Sequence, residues 1–445
     1  MKAFNIKKSD LLAGLLASAL FIGLSFGGLT IFEYLERIVY GAEMRLDLPQ
    51  NLGRNRIAIV NIDEKSLMQL GPWPWPRYLF ADMVSILKNN GARLIGFDLI
   101  FPDKEQNQGL NEIKKLQADI LERETVAGKD VWLMDTLKNI ERRLDNDRIL
   151  AQKMKDSGNI ILPVIGHFGP YDTEKVLVSD SSLQKHAMNI NEMKGNGLPF
   201  ISVNELTAPF EELSKNSKGL GHINLSPNKN MKGRVHLLFI DYRGHVIPSM
   251  PLRIALDYMK KRPQDIIIGE KGIRLSGFQI PAVNGEIFIK FKGGRRSFPY
   301  YSFIDILNVK KVPAVFDKKV VLIGYTAEGG ASIDTPVDHQ MPRVELTANI
   351  IDNLLNSQYL KRPYAVIYIE GVLLLLVSLI ASTALPRLSF FNRLGATVGM
   401  IFIIFLIGVL CFIFLDTWFK IIYISLALVS IFVFHGIKDI VVKQR

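Results

Sequence analysis

One cysteine, Cys411, stands in a chain of 445 residues. An intramolecular disulfide is therefore impossible, and so is a zinc site built on two or more thiolates. Histidine is scarce: the seven fall at 167, 186, 222, 236, 245, 339 and 435. No two have the i, i+4 spacing that puts a His pair on one helix face, which argues against a His-based metal site. There is no Walker A loop, no G-x-G-x-x-G, no G-x-S-x-G elbow, and no S-x-x-K with its companion motifs in residues 33–363. Phosphate-loop nucleotide binding and the familiar serine nucleophiles are thereby excluded. Charged residues make up 22%, slightly below the about 25% of a soluble domain. The apolar residues are bunched, which excludes a disordered chain, a collagen and a coiled-coil rod.

What the sequence does have is four long apolar runs. Residues 11–32 carry no charge and are long enough to cross a bilayer core of about 30 Å. Residues 364–385 carry one acid, Glu370, expected to snorkel to the interface; 394–415 carry none and hold Cys411; 421–437 are shorter and hold His435. The first run exceeds the about 7–15 residues of a signal-peptide core and no clear A-x-A site follows it, so an uncleaved anchor is expected.

Orientation follows from basic flanks. Lys2, Lys7 and Lys8 precede the first run, Arg387 and Arg393 lie between the second and third, and Lys438, Lys443 and Arg445 follow the fourth. All fall on one side of a four-span layout, the cytoplasmic side. The expected organisation is a cytoplasmic N-terminus (1–10), spans at 11–32, 364–385, 394–415 and 421–437, a cytoplasmic tail (438–445), and 33–363 outside. Roughly half of the net charge of +11 thus reports topology, and nucleic acid is not an expected partner.

Residues 33–363 read as an α/β unit. Residues 56–62 form a β-rich run ending at Asp63, and 93–97 a second ending at Asp98. Between them Phe80, Met83, Val84 and Leu87 have helical spacing, and Asn89-Asn90-Gly91 closes that helix. This strand–helix–strand unit predicts parallel pairing. Residues 103–155 read as a polar helical excursion, 159–164 as a strand and 170–197 as loop. Strands resume at 221–225 and 235–240, with a turn at 241–244. Ser249 should cap a helix over 252–259, and Ser302-x-x-Asp305 resembles a capping box. Residues 319–323 form a buried strand, and 344–355 a helix leading through Arg362-Pro363 into the second span. The expected fold class is an α/β extracytoplasmic domain with a mixed, partly parallel sheet on an all-α membrane part of four helices.

Asp63 and Asp98 fall at the carboxyl ends of strands expected to be adjacent, where open α/β sheets bind ligands. The loop 325–336 should bring Thr326, Glu328, Asp334 and Thr335 to the same rim. Such oxygen donors could hold a hard cation, with Asp63, Asp98 and Asp334 as metal candidates, or a polyhydroxy ligand. Asp338-His339 beside Asp334 is a further metal candidate. The competing reading is that Asp63 and Asp98 cap the segments that follow. In Trp73-Pro-Trp-Pro-Arg77 each proline extends the residue before it, displaying two indoles on a stiff strut suited to stacking on a ligand. The competing reading packs Trp73 and Trp75 on the sheet and pairs Arg77 with an acid. No cofactor is expected.

IVNIDEKSLMQLGPWPWPRYLFADMVSILKNNGARLIGFDLIFPD over 59–103, with FPYYS at 298–302, VVLIGYTA at 320–327, Asp334-Thr-Pro336 and MPRVELTANIIDNLL before Arg362-Pro363, resembles the CHASE2 family. The similarity covers 43–363, and one span before and three after match that family's layout. The resemblance implies an extracytoplasmic sensory module of bacterial inner-membrane receptors, which binds a small-molecule ligand. Two positions depart from the family's MPGVEIHAN: Arg343 replaces Gly and Thr347 replaces His, which puts any ligand role of that His in doubt here. Family members usually continue into a kinase or cyclase; about eight residues follow the fourth span here, so output is expected to pass to a kinase or cyclase partner, with a homo-oligomer as the expected state. The alternatives are an extracytoplasmic membrane-anchored enzyme using Asp63 and Asp98, or an envelope assembly protein.

Overall fold

A computed structural model describes residues 8–27, 29–47, 56–122, 129–169, 185–188, 200–228, 231, 233–262, 265–269, 272–275, 278–309 and 314–443. The loop expected over 170–197 lies almost wholly outside them. Helix α1 (Lys8–Gly27) stops short of the expected residue 32. A Gly27-Gly28 pair follows its apolar run, and glycine costs about 1 kcal/mol relative to alanine in a helix. A separate helix, α2 (Thr30–Leu46), begins at once. It buries Glu33, Glu36, Tyr40 and Glu43 and exposes Ile31, Tyr34 and Ile38.

Strand β1 (Ile57–Ile62) is buried throughout, and helices α3 (Glu64–Leu70) and α4 (Arg77–Asn89) follow it. Gly91, at φ +81°, closes α4; a Cβ there would meet the Asp317 side chain at 2.6 Å. Next come β2 (Leu94–Phe97), the polar helices Gln108–Glu122 and Lys129–Leu144, then α5 (Asn146–Ser157), β3 (Ile160–His167) and β4 (Gly219–His222). The hairpin Phe239–Tyr242 with His245–Pro248 turns at Arg243 and Gly244, both at positive φ. Helix α6 (Met250–Met259) is capped by Ser249, whose Oγ accepts from Leu252 N at 3.3 Å. Strands β5 (Tyr300–Ser302) and β6 (Val320–Tyr325) and helix α7 (Arg343–Asn356) complete the α/β unit. Helices α8 (Tyr364–Ala384), α9 (Phe390–Leu415) and α10 (Ile422–Lys443) end the chain. With α1, these are four helices long and apolar enough to cross a membrane.

The main sheet runs β5–β1–β6–β2–β3, and both β4 and the short strand Glu205–Thr207 pair with β3. All are parallel except the last, which is antiparallel. Smaller sheets, mostly antiparallel, add to it, so the whole is mixed. The expected adjacency of β1 and β2 is corrected: β6 lies between them and pairs with both. A strand from the far end of the sequence can enter because it is a fully apolar run that hides both faces. Alternation sorts the side chains: Ala58, Val60, Ile62, Val321 and Ile323 pack with α4 and α5, while Ile57, Ile59, Val320 and Leu322 pack with α6 and α7. Helices therefore cover both faces of the sheet.

Candidate functional site

The carboxyl edge of the parallel strands assembles several of the residues expected there. Asp63 follows β1 and caps α3: its Oδ1 accepts from Ser66 N at 2.9 Å, from Ser66 Oγ at 2.6 Å and from Ser302 Oγ at 2.9 Å. Ser302 therefore serves Asp63 and makes no side-chain cap on the helix Phe303–Asn308, so the expected capping box does not form. Thr326 lies next to β1, where its Oγ1 accepts from Asn61 Nδ2 at 3.2 Å. Glu328 N donates to Glu64 at 2.6 Å. This rim gathers two carboxylates, Asp63 and Glu64, with several hydroxyls and amides.

Asp98 ends β2 on the other side of β6. It is 4% exposed, and Arg343 Nε reaches both carboxylate oxygens at 3.1 and 3.2 Å while Nη2 donates to the Asp98 carbonyl at 3.0 Å. Burial raises the Asp98 carboxyl to about 6, against the lowering effect of Arg343. Position 343, where the sequence departs from its resemblance, thus supplies the counter-charge.

The tryptophans pack inward. Trp75 is 2% exposed, donates Nε1–H to Gly71 O at 2.8 Å and lies 5.1 Å from the Phe303 ring. Trp73 is half-buried and meets Trp75, Phe80 and Tyr325 at 5.7–5.9 Å. Arg77 stacks over Phe101 at 4.3 Å, with Asp147 at 3.8 Å from its Nε. Tyr325 joins Trp73 to the end of β6, so the tryptophan strut and the rim share one edge of the sheet.

Asp334 and Thr335 do not reach that edge. Asp334 pairs with Arg37 of α2 at 2.5 Å and with His339 at 2.8 Å. Thr335 is buried and exchanges hydrogen bonds with the Asp338 backbone. The metal candidates Asp63, Asp98 and Asp334 are held in three separate settings. Among the described residues no three His, Cys, Asp or Glu side chains stand where they could share a metal ion.

Sequence reading missed the role of residues 33–46 and of Arg234. The signal was present in part, since Glu33, Glu36 and Glu43 are unusual beside an apolar run. Glu370, expected to snorkel, is clasped by Arg362 through two 2.8 Å contacts and accepts from Lys420 N at 2.6 Å.

A family model described as the CHASE2 domain matches residues 15–384. No curated protein and no solved structure matches the chain.

Proposed function

The chain belongs to the CHASE2 domain family, a family of sensory domains, and from that premise we propose that it is a multi-pass receptor of the bacterial inner membrane. Residues 33–363 lie outside the cytoplasm and bind a small-molecule ligand. The termini (1–10 and 438–445) and the turn between α8 and α9 lie inside. The ligand acts at the rim marked by Asp63, Trp73, Arg77 and Thr326, with Trp75 and Asp98 packed beneath it. Binding shifts a pre-existing equilibrium, so the ligand must favour one state over the other. The output goes to a kinase or cyclase partner through the spans, and the receptor works as a homo-oligomer.

The observation that carries this reading is a continuous packed path from rim to spans. Arg343, at the start of α7, holds Asp98. Beyond α7, Tyr359 and Leu360 are buried, Leu360 bridges Phe288, and Lys361 bridges Thr417 between α9 and α10. Arg362 then holds Glu370 on α8. A displacement at the rim has a rigid element to travel along.

The test is a topology map in a Cys411→Ser background. Met68, which is 84% exposed on α3, and Ser389, exposed before α9, are changed to Cys one at a time. A membrane-impermeant thiol reagent should label Met68→Cys in intact cells, and Ser389→Cys only after permeabilisation. Labelling of Ser389→Cys alone in intact cells would overturn the reading.

A further inference from the structure

Between α2 and the loop after Ile333 lies a cleft of about 180 Å³. That is well under the about 300–1,000 Å³ of pockets that enclose drug-sized ligands. Its charged walls are Arg37, Arg45, Arg234, Asp334 and His339, so three guanidinium groups face one carboxylate. Of the buried acids of α2, Glu43 has neither carboxylate oxygen partnered among the described residues, while the other two are held by residues 420–423 behind α2. Glu33 takes Lys420 and the Tyr423 hydroxyl, and Glu36 takes Ile422 N at 2.8 Å.

Arg234 forms the inner wall. It is 2% exposed, its two terminal nitrogens are buried with no hydrogen-bond partner among the described residues, and its guanidinium lies over the rings of Tyr40 at 5.1 Å and Trp418 at 5.9 Å. A buried guanidinium left unpaired is costly, and a phosphate or carboxylate oxygen is its natural complement. The remaining wall is greasy: Tyr34 and Ile38 line it and are more than half exposed, and with Ile31 they make an i, i+3, i+7 stripe on a helix that starts two residues after a membrane span. Basic groups above an apolar stripe at the end of a span suit a molecule with an anionic head and apolar tails.

We propose that this cleft binds the phosphate of an anionic phospholipid, with Arg37 and Arg45 at the mouth and Arg234 behind them, and with the acyl chains along Tyr34 and Ile38. The bound head group would pin α2 to the α/β unit beside Gly41, whose Cα approaches Pro336 so closely that a Cβ would lie 2.9 Å from its carbonyl oxygen. The inference rests on the membrane spans and not on the sensing role, so the two fail separately.

The full chain is reconstituted into bilayers of phosphatidylcholine alone, or of phosphatidylcholine with phosphatidylglycerol at three to one. Retained phosphatidylglycerol per chain and the melting temperature are measured. Phosphatidylglycerol should be retained and should raise the melting temperature. Arg45→Gln, at an exposed position that does not threaten folding, should weaken retention about fivefold, the effect of one basic side chain at a membrane surface. Arg234→Gln should abolish the preference if it folds. Lys153→Gln, an equal charge change on the exposed face of α5, should leave it intact. Equal losses for Arg45→Gln and Lys153→Gln would reduce the effect to general attraction and overturn the site. An equal melting shift from inorganic phosphate in phosphatidylcholine bilayers would overturn the lipid as occupant in favour of a free anion.

Discussion

Asp98 and Arg343 are 245 residues apart, and the pair they form was not legible from sequence. Strand-end position marked Asp98 for attention, but its partner appeared only as a departure from a motif. The same holds for His222 and His236, scattered in the chain yet stacked 6.2 Å apart and both fully buried, with burial holding their imidazoles below the ordinary value. Asp63 was more legible, because a cap is a local device. The Asp98 carboxyl sits at about 6 in the folded protein against 3.8 ordinarily. Its folded form therefore binds the extra proton, and its contribution to stability is present at low pH and lost as pH rises through about 6. Arg343→Met removes the group that opposes burial and pushes that carboxyl higher still. We expect this variant to lose about 3 kcal/mol at pH 8, the low end for a broken buried pair because Arg343 is a quarter exposed. At pH 5, where Asp98 holds its proton, the loss should be small. Urea unfolding of both proteins at the two pH values measures this, and a loss independent of pH would mean that packing rather than charge is at stake.

At the scale of elements, α7 shows what hydrophobic periodicity captures and what it omits. The apolar spacing of 344–355 located the helix within a residue of its observed bounds. It implied a solvated polar face, yet Glu345, Asn349, Asp352 and Asn353 are all buried. These side chains replace a missing strand. Asn349 Oδ1 accepts from Lys292 N at 2.9 Å, Asn353 accepts from Lys290 N and donates to Lys290 O at 2.8 Å each, and Glu345 accepts from Arg296 N and Ser297 N. A polar residue on a helix reads as exposed unless the backbone it serves is known, and that backbone lies about 50–60 positions upstream. Two effects oppose each other in Asn353→Ala. Alanine gains about 0.5 kcal/mol of helix propensity, while the orphaned amide and carbonyl of Lys290 cost about 1–3 kcal/mol. The second is larger, so thermal melting should show a net loss of about 0.5–2.5 kcal/mol. A variant as stable as the parent would mean that water replaces Asn353.

On the scale of the whole molecule, the four apolar helices and the family were legible because bilayer thickness imposes long uninterrupted runs and the family's motifs are local. The joint between the α/β unit and those helices was not, because it is made of pairs such as Lys290–Asp416 and Lys420–Glu33, 126 and 387 positions apart. Lys290 is the centre of that joint. Its Nζ lies 2.9 Å from Asp47, which ends α2, and 2.6 Å from Asp416, in the turn between α9 and α10. One cation thus ties the sheet-bearing unit to α2 and to the turn between two of the long apolar helices. Replacing it by Met strands the largely buried Asp47 and should cost about 1–3 kcal/mol, between the values for exposed and buried pairs. The loss should fall on the joint rather than on either part. Trp418 reports on the joint, buried against Tyr40 at 5.0 Å and Phe288 at 5.7 Å, and Trp75 reports on the distant sheet edge. In single-tryptophan chains that keep one or the other, the parent should unfold with coincident midpoints. Lys290→Met should lower the Trp418 midpoint while leaving that of Trp75 in place. If both midpoints fall together, the two parts unfold as one unit and the joint has no independent existence for a signal to use.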